Sequence, residues 1–175
     1  ESEDNPVYDS EAKAYYPSVL FDGTTYRMWY AGNSGIFYTE SADGVNWVSG
    51  TAVTGLVLTA NHPHVEYCGD KYIMWYQDTT ESKLYSIEAI RYAESTDGTT
   101  WENDQAITGN IISGVAGQWN GGSYGAIDVF YNPSASGTGT YPFDYSYAMY
   151  YDATTGGLES IGLGYSTDGI TWELY

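Results

Sequence analysis

Two histidines, His62 and His64, stand two positions apart, and the chain contains no other histidine. In a strand, residues i and i+2 project from the same face, so the two imidazoles would lie side by side. Such a pair binds a metal ion when a carboxylate such as Asp128 completes the site, and one imidazole can equally orient a ligand hydroxyl. The simpler interpretation is a pair of polar residues at a strand start beside Pro63. On that interpretation we predict no metal site and no cofactor.

The single cysteine, Cys68, is a weaker candidate for chemistry. One cysteine excludes an intrachain disulfide and a cysteine-rich zinc site. No motif of a cysteine nucleophile surrounds this residue, so we interpret Cys68 as a small turn or core residue.

The charge balance excludes two classes of partner. The 175 residues include five Lys and Arg against 23 Asp and Glu, a net charge of −18. A nucleic acid requires a basic face, and an anionic membrane surface attracts basic segments, so neither is expected. No apolar run approaches the roughly 20 residues of a membrane-spanning helix, so we predict no membrane insertion. Aromatic residues make up 17% of the chain, enough for the core of one folded domain.

A turn with the pattern Ser-x-Asp-Gly-x-x-Trp recurs three times, starting at Ser41, Ser95 and Ser166. The Asp side chain can accept hydrogen bonds from the backbone that follows it, and Gly supplies a positive φ. Calcium would need about six to eight oxygen ligands, which one Asp per turn does not supply. We therefore interpret these aspartates as turn formers: Asp43, Asp97 and Asp168.

Each turn follows a strand-like segment with Met at its centre, and the chain's only three methionines occupy this position: Met28, Met74 and Met149. The segments alternate with period 2 and carry large side chains on both faces, which requires a neighbouring sheet on each side, as in a propeller. We predict an all-β, β-propeller-like array of three four-stranded antiparallel blades in a single domain, either a partial propeller or part of a five- or six-bladed ring. The predicted blades span about 15–48, 61–102 and 124–172, with 103–123 as a linker loop.

The run Tyr-x-Met-Trp-Tyr-Ala-Gly at 26–32, followed by the Asp-Gly turn, resembles a blade of the five-bladed β-propeller superfamily of glycoside hydrolases, which includes families 43, 32 and 130. The resemblance implies that the innermost strands line a central cavity and carry the catalytic carboxylates. Where the family has an Asp-Pro pair in its first blade, this chain has Tyr16-Pro17. The segment Ala126-Ile127-Asp128 is similar to the one that carries the pKa-tuning Asp of family 43, without the usual following Pro.

Standard glycoside hydrolysis needs two carboxylates about 5–10 Å apart, and Glu66 and Asp128 form the best available pair. The alternative is that Glu66 is solvated in a turn and Asp128 makes a structural hydrogen bond. The cavity that the resemblance implies, together with the aromatic residues outside the repeat pattern, defines the predicted ligand contacts: Tyr16, His62, His64, Trp119 and Tyr124.

Three functions remain open. The first is an extracellular carbohydrate-binding or adhesive module with a degenerate catalytic set and little or no enzymatic activity, secreted or at the cell surface. The second is an active glycoside hydrolase of which this chain is a part. The third is a structural subunit of a filament or surface assembly. Three blades leave an apolar face at each end. We expect one face around Tyr26, Met28 and Trp29, and the other around Tyr147, Met149 and Tyr150. Self-association or further blades would cover these faces.

Overall fold

A computed structural model describes residues 7–8, 13–80, 90–109, 124–136, 144–155 and 158–175. Their secondary structure is entirely of the β type, arranged in three sheets that confirm the predicted β-propeller-like array. Within these residues there is no helix of the length and hydrophobicity needed to cross a lipid bilayer.

Each sheet is one blade, and its first four strands follow one another in chain order from the innermost outward, while the third sheet has a fifth, short strand at its outer edge that comes from earlier in the chain. Blade 1 contains β1 (Tyr15–Phe21), β2 (Tyr26–Gly32), β3 (Gly35–Ser41) and β4 (Thr51–Ala52). Blade 2 contains β5 (Ala60–Cys68), β6 (Lys71–Asp78), β7 (Ile90–Ser95) and β8 (Glu102–Ala106). A short strand, β9 (Thr108–Gly109), precedes blade 3, which contains β10 (Tyr124–Tyr131), β11 (Tyr147–Thr155), β12 (Leu158–Ser166) and β13 (Thr171–Leu174).

The repeated turns have the predicted chemistry. In the second copy, Asp97 Oδ1 accepts the backbone N–H groups of Thr99 and Thr100, both at 2.7 Å. Ser95 Oγ accepts the N–H of Gly98, which has a φ of 78°. These backbone donors favour the ionised carboxylate, and the pKa of Asp97 lies well below its usual range. The other two copies repeat this pattern.

The core lies between the blades, because alternate residues of each second strand project to opposite neighbours. Met74 of β6 packs in the cluster shared with Trp29 of blade 1, and Trp75 packs in the cluster shared with Met149 of blade 3. Both Met74 and Trp75 are fully buried. Burial on both faces is the condition that the sequence pattern predicted for a blade between two others.

The apolar ends of the array differ from the expected ones. Trp29 and Met149 are fully buried inside the array, and Met28 is 7% exposed. The open apolar residues are Val19 and Phe21 on blade 1, and Phe130, Tyr150 and Ile161 on blade 3. The physical reason is direction: Trp29 and Met149 project toward blade 2, on the inner side of their strands.

The segment 103–123 departs from the predicted linker loop at its start. Residues 103–106 belong to β8, so blade 2 extends past residue 102, and Thr108–Gly109 pairs in parallel with β13 on the outer edge of blade 3. Residues 110–123 lie outside the described part of the chain. Pairing satisfies backbone groups that a free loop would leave to water.

The chain makes the same connection between blades 1 and 2, where Thr54 bridges Thr100 in parallel. Each connection has a Thr-Gly pair, 54–55 and 108–109, and both glycines have a positive φ. A Cβ on Gly55 would lie 1.8 Å from the carbonyl oxygen of Trp101, and one on Gly109 would lie 2.0 Å from that of Trp172. Only glycine therefore fits at these two positions.

Candidate functional site

The innermost strands of the three blades border an open cleft of about 450 Å³. Residues 16–20 of β1, 62–66 of β5 and 127–128 of β10 line it. The cleft brings together five of the seven predicted site residues: Tyr16, His62, His64, Glu66 and Asp128. Trp119 lies outside the described residues, and Tyr124 is described only in its backbone, as the first residue of β10.

A register shift near the start of each inner strand shapes the rim of the cleft. The shifts fall between Tyr15 and Ser18 in β1 and between Asn61 and His64 in β5. Within them, Tyr16 has a φ of 51° and His62 a φ of 48°, in the left-handed region that side chains rarely adopt. β-Bulges of this kind re-aim side chains, and such strain concentrates at functional sites.

The two strained residues meet each other. The rings of Tyr16 and His62 stack with their centroids 3.5 Å apart and an angle of 25° between their planes. Tyr16 remains 50% exposed, so the pair forms an aromatic platform open to solvent. Aromatic rings with one solvent-exposed edge are typical of sites that bind partly polar ligands.

His64 makes the central contacts of the cleft. Its Nδ1 lies 3.3 Å from an oxygen of Asp128, and its Nε2 lies 3.6 Å from an oxygen of Glu66. The same Nε2 is 3.2 Å from the backbone nitrogen of Val129 and 2.9 Å from its carbonyl oxygen. A neutral ring protonated at Nδ1 accepts the Val129 N–H, and a doubly protonated ring donates to the Val129 carbonyl. In both forms the Nδ1–H faces the Asp128 oxygen, a favourable electrostatic contact at 3.3 Å, whereas the other neutral tautomer would point a lone pair at the carboxylate.

Ser18, His64 and Asp128 occupy equivalent places in the three blades, opposite Trp29, Trp75 and Tyr150 respectively. These are the residue types of a catalytic triad, but their hydrogen bonds differ from those of a triad. In a triad the histidine nitrogen that faces away from the aspartate accepts the serine proton. Here that nitrogen lies against Val129, and Ser18 Oγ instead accepts the N–H of Val65 at 3.0 Å. The arrangement does not activate a serine nucleophile.

Glu66 and Asp128 both approach the imidazole of His64, from its two nitrogens. Asp128 has the more accessible side chain, 61% exposed against 29% for Glu66. An oriented, accessible carboxylate can accept hydrogen bonds from ligand hydroxyls or act as an acid or base. The catalytic role of the pair stays a prediction.

Asp152 is a further acidic residue near this site that the sequence analysis missed. Its Oδ1 and the Nδ1 of His62 are both buried without a hydrogen-bond partner in the described structure. Burial lowers the pKa of His62, and the negative charge of Asp152 opposes that effect. Asp152 follows Tyr151 at a repeat position that holds Ala31 in blade 1. This change from alanine to an acid was the signal in the sequence that could have identified Asp152 as a site residue.

The two histidines do not converge on a common ligand position. The ring of His62 stacks on Tyr16, while His64 contacts Asp128 and Val129. In the part of the chain that the structure describes, no three His, Cys, Asp or Glu side chains are grouped to hold a metal ion.

Comparisons with known proteins show which fold this chain shares. The sequence matches no family model. It is 35% identical over 102 residues to the uncharacterized protein Rv1502 of Mycobacterium tuberculosis, an alignment that covers 49% of this chain and 32% of that protein. The structure superimposes on an N-acetylgalactosamine deacetylase from F. plautii with a TM-score of 0.69 and 16% identity, over 97% of this chain and 55% of that one.

A thermostable family-43 glycoside hydrolase gives a TM-score of 0.64 at 19% identity, over 98% of this chain and 53% of that one. The chain has the β-propeller fold of these glycoside hydrolases. A structure from the GH130 family, at a TM-score of 0.63 and 14% identity, extends the likeness. The chain spans about half the length of these propeller proteins, 49% to 55%, and about a third of Rv1502, 32%.

Proposed function

We propose that the chain is a carbohydrate-binding propeller module that binds a neutral glycan in the cleft between its inner strands. The glycoside hydrolase-like fold supports a carbohydrate-related role. The observation that carries the finer proposal is the exposed Tyr16–His62 platform on the same cleft as the accessible carboxylate of Asp128.

The aromatic platform and the carboxylate match the apolar face and the polar hydroxyl groups of a sugar ring. The C–H face of a pyranose packs on an aromatic plane, while its hydroxyls donate to a carboxylate or to a histidine that a neighbour orients. One oxygen of Asp128 lies 3.3 Å from Nδ1 of His64, and the side chain is 61% exposed, so the carboxylate is accessible to a ligand. The net charge of −18 makes an anionic polysaccharide a poor partner.

Binding is favoured over hydrolysis by the residues at the first inner strand. Tyr16 and Ser18 line the cleft there, where the resemblance implies an aspartate. A phenol has an ordinary pKa near 10 and is a poor base at neutral pH. We further propose a secreted or cell-surface location, on the resemblance and the acidic composition alone.

The test is a neutral-glycan array, followed by titration calorimetry on any glycan that binds. We expect Tyr16→Ala and Asp128→Asn each to weaken binding about tenfold or more, since each removes a direct contact. Tyr67→Ala and Asp70→Asn are matched controls, because Tyr67 is also 50% exposed and Asp70 lies in the turn at the far end of β5. Binding that all four variants retain would place the site elsewhere.

An active glycosidase is the second candidate, favoured by the two carboxylates around one imidazole. Turnover of aryl-glycosides by the 175-residue chain tests it. We expect no rate above that of the buffer. A robust rate that Glu66→Gln abolishes, while glycan binding persists, would favour catalysis over simple binding.

A further inference from the structure

The cleft between the inner strands carries negative charge without a matching cation. Glu66 and Asp128 line it, and no lysine or arginine stands among the described residues that do so. A cleft lined by charge of one sign concentrates the electrostatic field and raises the local concentration of ions of the opposite sign. The two carboxylates therefore favour a ligand with a positive charge.

The basic side chains of the described residues are engaged elsewhere. Three of the four form ion pairs with carboxylates outside the cleft: Arg27, Lys71 and Arg91. The fourth, Lys13, has its Nζ 6.0 Å from the centroid of the Tyr15 ring. None of the four lines the cleft, so within the described part of the chain no lysine or arginine neutralises the cleft carboxylates.

The imidazole of His64 compensates only part of the negative charge. It lies between the two carboxylates, 3.3 Å from Asp128 and 3.6 Å from Glu66. A doubly protonated ring supplies one positive charge against two negative ones, and a neutral ring supplies none. At least one negative charge therefore remains for a ligand, and Asp128 has the more accessible carboxylate.

The donor set suits an organic cation better than a metal ion. Among the residues that the structure describes, no three His, Cys, Asp or Glu side chains are grouped to hold a metal. Calcium takes about six to eight oxygen ligands. An ammonium group has three N–H donors, which one carboxylate and water molecules can satisfy. The charge of the cleft thus matches an ammonium group.

The Tyr16–His62 platform lies on the same cleft and adds a second attraction for a cation. The face of an aromatic ring carries partial negative charge and attracts an ammonium group within about 6 Å of its centroid. Burial lowers the pKa of His62, so its ring is uncharged at neutral pH. The platform therefore does not repel a cation.

We infer that the preferred ligand of the cleft is an amino sugar, whose ammonium group contacts Asp128 while its C–H face packs on Tyr16. The inference rests on the proposed function and extends its ligand from neutral to cationic sugars. A neutral sugar keeps the aromatic and hydroxyl contacts, and the ammonium group adds a charge-assisted hydrogen bond, which is stronger than a neutral one. Acetylation of the amine removes this charge and with it the advantage.

Titration calorimetry on the whole chain tests the inference with matched trisaccharides of the glucose and galactose series. Within each series the probes differ only at the second carbon, which carries a hydroxyl, an acetamido or a free amino group. In the series that fits the cleft, we expect the amine to bind about tenfold more tightly than its two neutral counterparts. This advantage should shrink between about 0.05 and 0.5 M salt, because salt screens an exposed ion pair, while the affinity for the hydroxyl form stays constant.

Asp128→Asn isolates the contribution of the charge, because asparagine keeps the size of the side chain and can still form hydrogen bonds. We expect this variant to bind all probes more weakly and to lose the preference for the amine. Asp70→Asn is the matched control, since it removes the same charge in the turn between β5 and β6, away from the cleft. The control should keep the preference, and near-ultraviolet circular dichroism checks that both variants retain the packed aromatic core.

The outcomes separate this inference from the proposed function. Neutral probes that bind as tightly as their amines would overturn the inference and leave the proposed function standing. A preference for the amine that Asp128→Asn retains would also overturn it. Binding of amines alone would support the inference and contradict a neutral ligand, whereas no binding by any probe would overturn both.

Discussion

Trp75 in blade 2 donates its indole N–H to the carbonyl oxygen of Gly169 in blade 3, across 94 sequence positions. The same carbonyl accepts the indole of Trp172, at 3.0 Å, within its own turn. One oxygen thus ties the turn to its own blade and to the blade before it. The repeat motif acts as an interface element as well as a turn.

We expect Trp75→Phe to destabilise the fold by about 1–3 kcal/mol, because it removes a fully buried donor and leaves a gap between two blades. The measurement is urea unfolding followed by circular dichroism. Trp47→Phe is the matched control, since Trp47 is half-buried and donates only to Gly44 in its own turn. We expect the control to lose less than about 1 kcal/mol. Equal losses would contradict a role of the bond between blades.

The connector glycines provide a second matched pair. Gly109→Ala would place a Cβ only 2.0 Å from the carbonyl oxygen of Trp172. This steric clash adds to the strain of a positive φ. Gly69→Ala carries the positive φ alone, since nothing lies within 4 Å of its Cβ position. The φ strain costs about 1–2 kcal/mol, and we expect Gly109→Ala to lose clearly more in the same unfolding experiment. Similar losses would show that β9 moves away from blade 3 at little cost.

The turn aspartates predict how stability responds to acid. Backbone N–H donors hold the pKa of Asp97 well below its usual range, while an unfolded Asp titrates near 3.9. The unfolded chain therefore takes up the proton first, and the stabilisation is full above about pH 5 and is lost as the pH falls below 4. In thermal unfolding between pH 6 and 3, we expect Asp97→Asn to show a shallower loss of Tm than the wild type. If the Tm of the wild type and of the variant fell in parallel over this pH range, the result would contradict a stabilising role of the ionised Asp97.

His62 predicts a second pH dependence at milder acidity. Burial lowers its pKa below that of an unfolded histidine, about 6.5. The unfolded chain again binds the proton more readily, so stability is full above about pH 7 and falls as the pH drops through 6.5. We expect the Tm of the wild type to fall between pH 8 and 5.5, and His62→Gln to flatten this part of the curve. An unchanged slope in the variant would assign the fall to other groups.

The blades could be predicted from the sequence because their causes are local. Three causes act within one repeat: the alternation along Tyr26–Tyr30, the backbone hydrogen bonds that Asp43 accepts from the residues after it, and the positive φ of Gly44. Because the pattern occurs three times in the chain, each strand and turn assignment was supported by three copies. The outer connectors were missed because the Thr-Gly pairs look like ordinary loop sequence until a neighbouring blade edge is present.

The sequence by itself determined the strand type, the order of strands, the turns and the group of polar residues on the inner strands. Only the tertiary structure decided which of those residues touch. Tyr16 and His62 stack because register shifts in two different blades place each in a left-handed conformation, and no local pattern encodes such a shift. His64 turns its second nitrogen to Val129, 65 positions away. Contacts between blades depend on how whole sheets pack, and that geometry exists only once the chain has folded.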